Sequence, residues 1–223
     1  MSFNLASYIE HTVLKQATTA AEVDKVCVEA SMSGFAAVCI PPRYVFGAKK
    51  LLDSSRVKVV TVIGFPLGYN ATDVKVREIK DALDMGADEV DMVIDLCALK
   101  SGDWSHLERE INECLKPITN AGKVIKLIVE SGMLTDTELV ACCKLYGKYD
   151  IDYMKTSTGF ASVGATVHAV KMMRENLPKR ISIKAACGIR KYSFAMELID
   201  AGATRIGCST SMQLMREYKK ALV

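Results

Sequence analysis

Long apolar runs are missing from this sequence, so no segment reads as a membrane span. The opening stretch MSFNLASYIEHTVLK lacks an apolar run of the length a secretory signal needs, and the expectation is a cytoplasmic chain. Excess charge of either sign is also missing. Lys and Arg number 29 against 26 Asp and Glu, a net +3, which offers no broad basic field to nucleic acid. Histidine occurs three times, at His11, His106 and His168, and no two share a ligand spacing; no CxxC pair is present either. Both absences argue against a zinc site, and no cofactor is expected. No linker, low-complexity run or charge block divides the chain, so residues 1–223 are expected to form one domain.

What is present is a chain of 223 residues, half of them apolar, with eight cysteines. Without a secretory signal, those cysteines read as reduced thiols acting mostly as small apolar fillers. Cys142 and Cys143 are adjacent within a helical pattern.

A helix–glycine–strand punctuation recurs, at Gly34, Gly86, Gly122 and Gly202, each followed by a short run rich in Val and Ile. Glycine tolerates the left-handed conformation that closes a helix, so each marks a helix end feeding a strand. Strands are expected near 8–13, 36–40, 58–64, 89–94, 124–130, 153–158, 181–186 and 204–208. Helical stripes lie between them. Val76, Ile79 and Leu83 share one face, as do Leu107, Ile111 and Leu115, with Pro117 expected at the end of that second helix. Eight βα units of about 28 residues suit a (β/α)8 TIM barrel. The rival, a doubly wound open sheet, usually carries a GxGxxG turn after its first strand, and none exists here.

Alternate residues of a barrel strand point into the lumen. Setting Val90, Met92 and Ile94 toward the helices turns Glu89, Asp91 and Val93 inward. The same phase turns Lys126, Ile128 and Glu130 inward on the fifth strand, Tyr153, Lys155 and Ser157 on the sixth, and Ser182, Lys184 and Ala186 on the seventh. Asp91, Lys126, Lys155 and Lys184 then share one lumen. A buried unpaired charge costs several kcal/mol, so these groups either form a structural ion-pair layer or are kept for chemistry. Glu130 reads as a rim carboxylate near the lysines. Three lysines against fewer carboxylates leave an excess of positive charge, which disfavours protonation of at least one amine. A neutral amine in a barrel mouth is the reagent for Schiff-base chemistry, and Asp91 could move protons beside it.

Two turns follow the last two strands, ACGIR at 186–190 and GCSTS at 207–211. Barrels often bind phosphate there, through backbone N–H groups and a helix N-terminus. Ser209, Thr210 and Ser211 read equally as ordinary helix caps.

These segments together resemble the deoxyribose-phosphate aldolases. The likeness runs along nearly the whole chain, through IEHTVLK, AAVCIPPRY, TVIGFPLG, GADEVDMVI, KTSTGF and IKAACGIR in the family's order. The resemblance implies a metal-independent class I aldolase that cleaves 2-deoxy-D-ribose 5-phosphate reversibly to acetaldehyde and D-glyceraldehyde 3-phosphate. It assigns the Schiff base to Lys155, the second lysine to Lys184 and the proton relay to Asp91. It places Glu10, Thr12, Cys39, Lys126, Thr158, Gly159 and Ala186 around the substrate, and Cys187, Gly188, Gly207, Ser209 and Thr210 around the phosphate.

Two positions depart from the family pattern. Glu10 stands where Asp is usual, and Ala185-Ala186-Cys187-Gly188 replaces a usual Pro-Ala-Gly-Gly. A cysteine at 187 is strained if that position needs positive φ. Cys39 reads as packing rather than chemistry. The expected partner is a small phosphosugar, with no nucleic acid and no membrane, and barrels of this size often form homo-oligomers. Two rival functions remain at this point: another phosphosugar barrel enzyme, and a non-catalytic barrel whose lysines hold an anion.

Overall fold

The apolar alternation and the glycine punctuation produce strands that pair in sequence order and close on themselves. The computed structural model describes residues 3–222; of the expected domain over 1–223, Met1, Ser2 and Val223 lie outside the described residues. The strands are β1 (Ile9–Thr12), β2 (Ala37–Cys39), β3 (Lys58–Ile63), β4 (Glu89–Val93), β5 (Val124–Ile128), β6 (Tyr153–Lys155), β7 (Ser182–Ala186) and β8 (Arg205–Cys208). All neighbours are parallel, and β1 closes the barrel against β8 through Ile9 opposite Ile206 and His11 opposite Cys208. This is the expected (β/α)8 architecture. The observed strands stop short of the expected ones at β5 and β6, although Val129 and Thr156 still donate to the Lys155 and Lys184 carbonyls of the neighbouring strands.

The helices are α1 (Ala20–Ser33), α2 (Val45–Leu51), α3 (Thr72–Asp84), α4 (Leu96–Lys100), α5 (Trp104–Ala121), α6 (Asp136–Tyr146), α7 (Val167–Asn176), α8 (Tyr192–Asp200) and α9 (Ser211–Ala221). Their ends follow local chemistry. Thr19 with Glu22, and Thr135 with Glu138, form reciprocal capping boxes at α1 and α6, each contributing about 1 kcal/mol. Gly34 and Gly122 close α1 and α5 at φ 67° and 59°. Pro117 departs from expectation, since α5 continues past it to Ala121. Proline removes one donor and frees the carbonyl four residues back. That carbonyl belongs to Glu113, an exposed residue, and Ile118 behind the proline is buried in the core, so packing carries the helix onward.

The core is a shell between strands and helices. Val90, Met92, Leu127, Met154, Ile183 and Ala185 point outward into it, as their alternation required, and meet Ile79, Leu107, Ile111 and Ile118 from the helices. Val76, Leu83 and Leu115 pack at its edge. Six of the eight cysteines are buried, including both members of the Cys142-Cys143 pair on α6, which bears out their role as fillers; Cys97 is exposed and Cys187 half-buried. One ion pair lies inside this shell: Lys75 of α3 donates to Glu110 of α5 at 2.6 Å and to the Val93 carbonyl at 2.9 Å. Within the lumen, β2 and β3 contribute a separate apolar cluster of Ala37, Cys39, Val60 and Val62, capped by Leu14 and Phe65. Among the described residues no helix is long and apolar enough to cross a membrane.

Candidate active site

Period-two alternation delivers the charged residues of β4 to β8 to the lumen, and parallel register sets their neighbours. Asp91 lies beside Lys126, Lys155 beside Lys184, and Lys184 beside Arg205. The Lys155 ammonium nitrogen is 2.7 Å from Asp91 Oδ2, and Lys184 reaches the same oxygen at 2.6 Å. Lys126 donates to Asp91 Oδ1 at 2.9 Å and contacts Glu89 at 2.6 Å. Lys184 also pairs with Glu10. Arg205 completes the group, 3.3 Å from both Glu10 and Glu89.

The expectation of fewer carboxylates than lysines is therefore corrected. Glu10, Glu89 and Asp91 match the three lysines, and it is Arg205 that restores a positive excess. Alternation within TRIGCS, with Ile206 turned outward, carried the signal for an inward Arg205.

These groups respond differently to burial. For Asp91, burial alone favours the neutral acid, but Lys126 and Lys155 outweigh it and hold the carboxyl below its ordinary range. Burial disfavours the charged form of Lys126, and Asp91 and Glu89 more than reverse this, leaving its pKa raised. Lys184 goes the other way. Complete burial, then the Arg205 guanidinium, push its pKa well below the usual lysine range, against the pull of the Asp91 and Glu10 carboxylates it touches.

Above this layer a cavity of about 220 Å³ opens at the C-terminal ends of β6, β7 and β8. Lys155 and Lys184 are its floor; Thr12, Thr158, Gly159, Ala186, Cys187, Gly188, Gly207 and Ser209 are in its walls. Arg190 also lines it. Sequence reading passed over that residue, although it closes the quoted ACGIR turn. The remaining expected residues lie elsewhere. Glu10 and Lys126 are fully buried in the ionic layer beneath the cavity. Cys39 is sealed in the lumen's apolar cluster, where burial pushes its thiol up to about 12. The Thr210 hydroxyl donates to the Ile189 carbonyl at 3.2 Å and so ties the two turns together.

Glu130, expected as a rim carboxylate near the lysines, is buried behind the cavity wall within the influence of Lys155. It is 2 % exposed and accepts from Thr158. Burial raises its pKa against the pull of those hydrogen bonds and of Lys155. Glu10, Cys39 and Asp91 stand close enough together to hold a metal ion. As a donor set they fit one poorly, because lysines already engage both carboxylates and the thiol resists ionisation.

The two turns suit an anion. Gly188 adopts φ 78° and Cys187 φ 74°, so the strain expected of a cysteine at that position is present, about 1 kcal/mol. A cationic side chain, small residues and the starts of α8 and α9 surround the mouth. A parallel barrel with paired lysines on the floor of such a mouth fits an enzyme that acts on phosphorylated carbonyl compounds.

Comparison with known proteins narrows this. Residues 5–212 match the model of the DeoC/LacD family aldolases, and the chain belongs to that family. It is 44% identical over 218 residues to a deoxyribose-phosphate aldolase of Caldanaerobacter subterraneus, covering 97% of this chain and 94% of that one. It is 43% identical over 223 residues to a deoxyribose-phosphate aldolase of Thermococcus gammatolerans, covering 99% of each. The structure of a tetrameric deoxyribose phosphate aldolase from Aeropyrum pernix superimposes with a TM-score of 0.90 at 32% identity, covering 98% of this chain and 92% of that one.

Proposed function

We propose that the chain cleaves 2-deoxy-D-ribose 5-phosphate reversibly to D-glyceraldehyde 3-phosphate and acetaldehyde, through a Schiff base on Lys155. One observation carries the reading: Lys155 and Lys184 converge on a single oxygen, Asp91 Oδ2, at the floor of a cavity walled by the Ala186–Arg190 turn.

The open-chain sugar enters with its phosphate at Gly188, Gly207, Ser209 and Arg190. Lys155 gives up its proton to water at the cavity floor, beside the Asp91 oxygen that it shares with Lys184. The freed Lys155 nitrogen attacks C1; water leaves and an iminium forms. Its positive nitrogen accepts the electron pair of the C3–C4 bond as that bond breaks, and the C3 hydroxyl proton passes to Asp91, directly or through a water. Glyceraldehyde 3-phosphate departs. The remaining enamine is protonated at carbon and hydrolysed to acetaldehyde.

The same reading includes work in the cytoplasm and assembly into a homo-oligomer, in keeping with the tetrameric relative. A coupled assay for glyceraldehyde 3-phosphate tests it. Wild type turns over and Lys155→Leu does not. Borohydride with substrate fixes an adduct on Lys155, and an adduct on Lys184 would reverse the assignment.

A further inference from the structure

Glu130 sits outside the cavity yet is built into its wall. It leaves β5 in the left-handed region at φ 50°, a conformation that costs a non-glycine residue about 1 kcal/mol. Neighbouring contacts hold it there. Its carbonyl accepts from Met133, and the next residue, Ser131, donates its N–H to the Thr156 carbonyl at 2.7 Å. The side chain is thereby aimed at Thr158. The backbone N–H of Thr158 lies 3.2 Å from each carboxylate oxygen, and its hydroxyl donates to Oε2.

Thr158 itself lines the cavity that holds Lys155. A threonine hydroxyl has one hydrogen and two lone pairs. The hydrogen is committed to Glu130, and one lone pair accepts from the Phe160 N–H at 3.1 Å. What remains for a ligand is a single acceptor.

We infer that Glu130 is a positioning residue that makes Thr158 an obligate hydrogen-bond acceptor, so that this wall selects a substrate hydroxyl. The inference rests on the sugar-phosphate reading above and deepens it. An acceptor next to the amine orients a hydroxyl donor on the sugar and leaves a carbonyl or ether oxygen at the same place unpaired. Glutamine at 130 would reverse the polarity. Its amide carbonyl would take the Thr158 N–H, its amide nitrogen would donate to Oγ1, and the threonine hydrogen would swing into the cavity.

A double-mutant cycle on sugar cleavage tests this. Thr158→Val should lower kcat/KM about 30-fold and Glu130→Gln about 10-fold, the range of one lost hydrogen bond to an oriented hydroxyl. The double variant should stay near 30-fold, not the roughly 300-fold of independent sites. Borohydride trapping of acetaldehyde on Lys155 requires no sugar hydroxyl, and should remain within about twofold of wild type in Glu130→Gln, whose side chain does not line the cavity. Losses that multiply in the double variant overturn the inference, as does a Glu130→Gln enzyme that loses trapping and cleavage alike. Should Glu130→Gln not fold, Glu130→Asp takes its place in the cycle with the same outcomes. A wild type that traps acetaldehyde but never cleaves the sugar rejects the substrate reading and this inference with it; multiplying losses in an active enzyme sink the inference alone.

Discussion

Lys184 passes so close to Gly207 that a Cβ there would lie 3.0 Å from its Cε and 3.1 Å from the Ala186 Cβ. The neighbouring strand therefore shapes the path of this lysine to Asp91, and its own rotamer is only part of the cause. Gly207→Ala should displace the amine and lower the cleavage rate at least about tenfold, while overpacking costs about 1–3 kcal/mol of stability. Steady-state kinetics and a melting curve check both. Unchanged kcat would mean that Lys184 has room to spare.

Lys184 should also leave a signature in stability against pH. Its folded pKa is depressed, so between that value and the unfolded value near ~10.4 the unfolded chain binds more protons. Stability then rises with pH across this window, by up to about 1.4 kcal/mol per pH unit. Lys126, whose pKa is raised, works against this only above about 10.4. Above about 8.5 the buried cysteines, whose thiols are pushed up to about 11 or 12, work against this, so the wild-type urea midpoint should climb from pH 7 to 8, and its difference from Lys184→Met should go on growing to pH 10. Parallel curves would show that the buried amine is charged throughout.

Replacing Cys187 by glycine should relieve the strain at φ 74° and remove a side chain from the anion turn. We expect KM for the sugar phosphate to fall about three- to tenfold, with kcat little changed. The melting temperature should move only a few degrees, because relief of strain and the added freedom of the unfolded chain nearly cancel. A higher KM would make the thiol a contributor to binding.

The pair of Lys75 and Glu110 carries stability without touching the cavity. Lys75→Met leaves a carboxyl buried without its cation and should cost about 3–5 kcal/mol in urea unfolding. Changing both residues to apolar ones should recover at least half of that loss. If the double variant were no better than the single, the lysine's bond to the Val93 carbonyl would be its main contribution.

Much of this was legible in the sequence, because barrel strands obey a short period. Counting by twos from Val90 turned Asp91 inward, and the same rule placed Lys126, Lys155 and Lys184 in the lumen. Four glycines marked helix ends correctly. Pairing was harder to read. That Glu10 would meet Lys184, 174 residues away, depends on closure of β1 against β8, which no local window contains. Glu130 was read as a rim carboxylate, and its partner Thr158, 28 residues away, was not legible, since the left-handed backbone at 130 is what aims the side chain there. Pro117 was read by its usual effect on a helix, which tertiary packing overrode.

The lumen is lopsided. Ala37, Cys39, Val60 and Val62 give it a dry flank on β2 and β3, while the three lysines stand on β5, β6 and β7. Hydrocarbon polarises weakly, so that flank does little to screen the ionic groups beside it. A small carbonyl compound that reaches the amines therefore has its polar partners toward β5, β6 and β7 and hydrocarbon toward β2 and β3.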